Sequence, residues 1–361
     1  MSERAAAAVP DDGEAEFDRA RRYLDGLSAR GRAFLGSERA IMGGAMTWVS
    51  ERNLVAAISN GGGFGVLASG SMPPEVLAAE IEATRALTDR PFGVNLITLH
   101  PQLDALIDVC LDLAVGHIVL AGGLPRGPAI ARIKAGGARL LCFAPAPVIA
   151  RKLVRDGVDA LIIEGMEAGG HIGPVSTAVL AQEILPAVDE VPVFVAGGIG
   201  RGEAIVQFLE MGAAGCQIGT RFVCATESIA HPNFKKAFIR AAARDAVPST
   251  QLDPRLPVIP VRALANKATE EFAAMQRRLI GELDAGAVEL KEAQLAVEHF
   301  WAGALRRAVV DGDVERGSLM AGQSVGMVAG EQTTRAILDE LFDQAVAALV
   351  ARARRDRTMA V

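Results

Sequence analysis

One imidazole in this chain stands where acid/base chemistry could be done. The stretch Ile162-Ile163-Glu164-Gly165-Met166-Glu167-Ala168-Gly169-Gly170-His171-Ile172-Gly173 leaves an apolar run, Asp159 to Ile163, and enters a loop dense in glycine. The run reads as a buried parallel strand, so His171 falls where a strand's carboxyl end opens into a turn. Glycines on both sides let a flat ligand lie against the backbone with His171 beside it. With an ordinary pKa of about 6.5, a histidine there can remove a proton from carbon or steady an anionic substrate. The plainer reading is a tight turn whose histidine hydrogen-bonds a carbonyl.

Other strand ends carry glycine too. Ala196-Gly197-Gly198-Ile199-Gly200 and Gln217-Ile218-Gly219-Thr220-Arg221-Phe222 follow two further apolar runs. Bare backbone N–H groups at such turns hold a phosphate without needing a lysine, and Gly197, Gly198, Gly219 and Thr220 form the expected cradle. No GxGxxG follows a first strand, which disfavours a dinucleotide fold of the doubly wound type. The five histidines, His100, His117, His171, His231 and His299, are scattered without ligand spacing, so no metal site is expected. A flat mononucleotide such as FMN, lying across the strand ends, fits these loops best. Asn95 could then bond the polar edge of its ring, although strand termination accounts for an asparagine there equally well. Met42 to Ala45 would run beneath the ring.

These loops need a scaffold. Eight apolar runs recur along the chain: Ala40 to Gly43, Phe64 to Ala68, Phe92 to Leu96, His117 to Ala121, Arg139 to Phe143, Ala160 to Ile163, Val191 to Ala196 and Gly215 to Gly219. Stretches with helical spacing alternate with them, such as Pro73 to Thr88, Pro147 to Asp156 and Gly202 to Met211. That rhythm predicts an α/β fold, a TIM (β/α)8 barrel whose active site forms at the carboxyl ends of the strands. The expected division is a tail and extra helix over 1–36, with the helix at Glu14 to Ala33 packing outside the main fold. The barrel follows over 37–230, a smaller mostly helical cap over 231–317, and a closing loop with a last helix over 318–361. The cap reading rests on Phe234 to Glu298, interrupted by the proline-rich stretch Pro248 to Pro260.

Composition narrows the partners. Half of the 361 residues are hydrophobic, enough for a large core, and the net charge of -6 argues against a nucleic-acid surface. The four cysteines, Cys110, Cys142, Cys216 and Cys224, show no CxxC pairing and read as reduced core residues. No apolar run approaches the roughly 18 residues a membrane span requires, and the acidic N-terminus lacks a signal-peptide core. A cytoplasmic protein is expected.

Taken together, EGMEAGGHIG at 164–173, PFGVNL at 91–96, AGGIG at 196–200, QIGTRF at 217–222 and SLMAGQ at 318–323 resemble the nitronate monooxygenase family. That family, formerly called 2-nitropropane dioxygenases, has FMN-dependent enoyl-acyl-carrier-protein reductase relatives. The resemblance covers about residues 38–345, and its motifs are more specific for the superfamily than for the reaction. It implies an FMN-binding barrel in which Met42, Gly43 and Asn95 contact the flavin and Gly170 lies with His171 beside the ring. Gly197, Gly198, Gly219 and Thr220 would hold the phosphate, and Met320, Ala321, Gly322 and Gln323 would close over the flavin. His171 matches the family's catalytic histidine. The implied activity is oxidation of an alkyl nitronate with dioxygen to a carbonyl compound and nitrite. The alternatives are reduction of an enoyl thioester or a quinone with NADH or NADPH as donor, and a barrel that binds a phosphorylated ligand without catalysis. A homodimer is compatible with each.

Overall fold

The computed structural model describes residues 12–359. Eight parallel strands build the core: β1 (Ile41–Gly43), β2 (Gly65–Ala68), β3 (Phe92–Ile97), β4 (His117–Ala121), β5 (Arg139–Phe143), β6 (Ala160–Glu164), β8 (Val193–Ala196) and β9 (Gly215–Ile218). A short strand, β7 (Gly170–His171), leaves the barrel after β6. The order β1-β9-β8-β6-β5-β4-β3-β2 returns to its start through a parallel bridge between Met42 and Phe64. Backbone bonds from Gly43 N–H to Phe64 C=O (2.8 Å) and from Phe64 N–H to Ile41 C=O (2.9 Å) close the cylinder. Closure removes both sheet edges, so the barrel expected from the eight runs is the fold observed.

Alternation along each strand sorts side chains into two cores. Val94, Leu96, Ile118, Leu120, Leu161, Ile163, Val195 and Ile218 face outward and pack under the helices. Met42, Phe64, Val66, Val119, Leu141, Ala160, Ile162 and Phe194 fill the lumen. Each fully buried large side chain there contributes ~2 kcal/mol of apolar burial. The lumen is therefore a packed plug, and any site must sit above it.

The tail expected ahead of the first helix lies outside the described residues. The helix after it, Asp12–Leu35, runs along the outside of the barrel but does not end there. Its last residues, Phe34 and Leu35, join the lumen cluster, and the Phe34 carbonyl accepts a hydrogen bond from Arg139 Nη1 and lies 2.9 Å from His117 Nε2. The helix is thus a stopper at the amino ends of the strands, which its charged sequence did not reveal.

The cap, expected to be mostly helical, carries short strands beside its helices. Beyond β9 the chain forms β10 (Ala246–Pro248) and β11 (Val261–Leu264), which pair antiparallel with each other. β11 pairs on with β7, so that Val261 faces His171 and Arg262 faces Gly170. A three-stranded sheet therefore spans from the barrel loop into the cap. Helices Lys267–Asp284 and Leu290–Phe300 complete the cap with a small core of their own around Leu256, Phe272, Leu279, Ala293 and Val297. The helix Thr334–Met359 then packs back on the barrel, burying Leu338, Leu341 and Ala345. No helix among the described residues is long and apolar enough to cross a membrane. The four cysteines are buried and unpaired, and burial pushes each thiol up to about 12.

Candidate active site

At the amino end of the lumen His117 packs on Phe34 and Phe64; the other group of polar residues enters at the carboxyl end. Glu164, Ala196, Gln217 and Met42 are register partners across β6, β8, β9 and β1, so their side chains share one level of the barrel. Asn95 faces the same way on β3, opposite Val119, whose carbonyl it meets at 3.3 Å. Among the described residues, no hydrogen bond reaches the side chains of Glu164 or Gln217. Two polar groups left unpaired above an apolar plug are what a ligand with a polar ring edge would satisfy.

The sequence alone does not single out Glu164, since a carboxylate beside a loop is usually solvated. The alternation through Ala160 and Ile162, both lumen residues, was the signal that could have placed it inside. Enclosure without a charged partner raises its pKa to about 8 from an ordinary 4.5. The unfolded chain gives up this proton near 4.5 and the folded chain near 8. Between these values the folded state holds more protons, so stability falls as pH rises through that window and levels off above it. Glu164→Gln removes this dependence. In the flavin-free protein, melting temperatures measured from pH 5 to 9 should show the variant gaining on the wild type as pH rises; a constant difference would place the carboxyl in water.

His171 rises beside this level on β7. Its backbone is held by the pairing with β11, and Ile172 N–H donates to Pro260 C=O at 3.1 Å. Its side chain is exposed and makes no hydrogen bond among the described residues, which removes the plainer reading of a carbonyl-bonded turn histidine. Partial desolvation holds the imidazole below its ordinary 6.5, so at neutral pH it carries a free lone pair. Beneath the loop, Arg262 is buried and gives Nε to Met166 C=O at 2.8 Å and Nη1 to Ala246 C=O at 2.5 Å. Arg262 thereby ties the histidine loop to the cap sheet, a role its sequence context did not show.

The glycine turns lie next to this group. Gly197 has φ +100°, and a Cβ on it would meet Gly165 O at 2.9 Å; Gly198 has φ +71°. Both are glycine because the turn requires it. Gly219 is different. Its φ of -110° suits any residue, and an added Cβ would meet nothing nearer than Met46 Sδ at 3.5 Å. Neither conformation nor packing asks for glycine there, which leaves a cradle that a side chain would fill.

Segment 318–323 closes over these turns. Met320 bridges antiparallel to Ala263, Gly322 N–H donates to Thr220 Oγ1 at 3.0 Å, and Gln323 N–H donates to Glu167 C=O at 2.9 Å. Ala321 and Gly322 lie against Gly169 so closely that a Cβ there would meet backbone at 2.6 Å. Glu167 is a scaffold, accepting from Thr177 N–H (2.9 Å) and Oγ1 (2.8 Å). Arg221 is spent on Gly200 C=O, Gln332 and Glu340, and does not serve the cradle. His231 caps the helix Pro232–Arg240 through Asn233 N–H.

The structure thus brings Met42, Gly43, Asn95, Gly170, His171, Gly197, Gly198, Gly219, Thr220 and the segment Met320–Gln323 to one end of the barrel. The family model for nitronate monooxygenase matches residues 31–106 and 102–344, most of the chain. The chain belongs to the nitronate monooxygenase family. It is 32% identical over 340 residues to the "(3aS,4S,5R,7aS)-5-hydroxy-7a-methyl-1-oxo-octahydro-1H-indene-4-carboxyl-CoA dehydrogenase" of Mycobacterium tuberculosis, covering 86% of this chain and 94% of that one. A nitronate monooxygenase of Paraburkholderia phytofirmans is 30% identical over 286 residues, with 65% of this chain and 76% of that one covered. The structure of FabK from Thermotoga maritima superposes with a TM-score of 0.80 at 35% identity, covering 90% of this chain and 98% of that one. These family relatives are oxidoreductases, and this chain is one as well.

Proposed function

We propose that this member of the nitronate monooxygenase family binds FMN across the strand ends and that His171 moves the proton at a substrate carbon. When bound, FMN supplies the acceptor or donor for an electron pair. Gly197, Gly198, Gly219 and Thr220 would hold its phosphate. Met42, Gly43 and Asn95 would lie at the ring, Gly170 beside it, and Met320, Ala321, Gly322 and Gln323 would close the site from the cap. What carries the reading is a neutral, unpartnered imidazole held on β7 beside a barrel mouth where, among the described residues, the Glu164 and Gln217 side chains lack partners.

An acyl thioester is the substrate class best supported. Its carbonyl acidifies the neighbouring C–H, and a neutral His171 can take that proton; in the reverse direction the imidazolium returns it. Two observations favour it: the Mycobacterium relative is named for a carboxyl-CoA substrate, and the loops after β3 and β4 expose Leu99 and Leu124 at 80% and 46%. Oxidation of an alkyl nitronate with dioxygen is the second reading, favoured by the Paraburkholderia relative and by the matching family model. In the reducing direction NADH or NADPH would be the donor.

Anaerobic mixing separates these readings. The yellow holoprotein is mixed in turn with a saturated acyl-CoA, NADH, NADPH and an alkyl nitronate, and visible bleaching is recorded. Bleaching by acyl-CoA or a reduced pyridine nucleotide is expected. Bleaching by nitronate alone would put nitronate oxidation first, and a colourless protein that releases no FMN on denaturation would overturn the flavin reading.

A further inference from the structure

The loop after β1 contains a residue that its own backbone does not want. Trp48 has φ +68°, and among the described non-glycine residues only Ala114 shares this left-handed region. It sits in a turn closed by Val49 N–H and Ser50 N–H, both donating to Met46 C=O at 2.9 and 2.7 Å. Glycine or asparagine takes such a position without strain, and a bulky aromatic does not. The surrounding bonds enforce the turn: Ser50 Oγ donates to Gly44 C=O at 2.8 Å and accepts from Met46 N–H at 3.0 Å. A tryptophan kept in a glycine conformation is kept for its ring.

That ring is not core, with 37% of the residue open to solvent. Arg306, from the cap helix Ala304–Val309, places its guanidinium carbon 5.9 Å from the ring centroid. Arg306 is half exposed, and its pair with Asp311 at 3.1 Å is a solvated one that a phosphate could replace. The pair stands at the site's edge. Met46, two residues before Trp48, borders the Gly219 cradle, and Ala304 C=O accepts from Ser318 N–H at 3.0 Å where the closing segment begins.

We infer that Trp48 and Arg306 seat the adenine-nucleotide end of a ligand whose reactive end reaches His171, the indole stacking on the base and the guanidinium meeting a phosphate. Flat aromatic faces bind bases, and guanidinium forks bind phosphates. The inference takes its preferred ligand, an acyl-CoA, from the thioester reading. A pyridine nucleotide carries the same adenine-nucleotide chemistry.

Calorimetric titration of the holoprotein with CoA, NAD+, adenosine 3′,5′-bisphosphate and pantetheine tests it, alongside Trp48→Gly, Trp48→Phe and Arg306→Ala. Adenine-bearing ligands should bind at least tenfold more tightly than pantetheine. Trp48→Gly should lose about tenfold or more of that affinity while melting no lower than the wild type, since glycine relieves the turn. Trp48→Phe should keep most of the affinity, and Arg306→Ala should weaken ligands carrying phosphate. Binding of NAD+ but not CoA would uphold the seat and remove the thioester reading. Pantetheine binding as tightly as CoA, or unchanged affinity in Trp48→Gly, would overturn the seat and leave the thioester reading standing. A Trp48→Phe variant that binds no better than Trp48→Gly would also overturn it.

Discussion

Replacing His171 with alanine should cost two to four orders of magnitude in turnover, about the range a positioned acid/base supplies, while FMN stays bound and the fold stays stable. The asymmetry follows from how the residue is held. Its backbone pairs with Val261 of β11 and its neighbour Ile172 bonds Pro260, so the strand survives loss of the ring. The imidazole is exposed and bonds nothing among the described residues, so alanine leaves no orphaned partner; a stability change within ~0.5 kcal/mol is expected. The pH profile supplies a second readout. Desolvation lowers the histidine's pKa from 6.5, so the base is ready across neutral pH and activity should fall only on the acid side of that value. In the alanine variant this acid limb should vanish along with the rate. Single-turnover rates from pH 5 to 8, with FMN content read from absorbance, check both; unchanged turnover would take the histidine out of the mechanism.

What could be read before the fold was known follows from where each signal is stored. β4 and β5 match their expected bounds, His117–Ala121 and Arg139–Phe143, because strands buried on both faces are written as continuous apolar runs. Barrel closure was legible from the count of such runs. The cap sheet was not. β7, β10 and β11 are two to four residues long, and β11 lies about ninety residues beyond its partner β7, so no local period records them. Pro248 looked like a breaker of helix and is the end of an edge strand, where proline's missing N–H costs nothing. The glycine turns and His171 were visible because chemistry at strand ends uses a small alphabet. Glu164 and Arg262 were hidden because what defines them is the place that the closed barrel and the seated cap give them, the one enclosed at the mouth and the other buried beneath the loop. The same holds for Trp48, whose meaning lies in a dihedral angle.

Gly219→Asp should strip FMN from an otherwise intact protein. A side chain at 219 fits, since its Cβ would approach only the flexible end of Met46 and the backbone φ of -110° is open to aspartate. The fold therefore has no reason to fail. If the cradle holds the phosphate, the variant puts a carboxylate where an anion must sit. Like charges about 4 Å apart near a protein surface repel by up to ~4 kcal/mol, and half of that already weakens binding by more than tenfold. A loss on the order of a hundredfold is expected. Gly219→Asn has nearly the same volume without the charge, so the gap between the two variants isolates electrostatics from crowding. That gap should shrink as salt is raised, because mobile ions screen the repulsion between the two charges. Titration of the flavin-free proteins with FMN at two ionic strengths measures it. Equal losses in aspartate and asparagine would mean that Gly219 merely makes room, and no loss in either would move the phosphate to the Gly197–Gly198 turn alone.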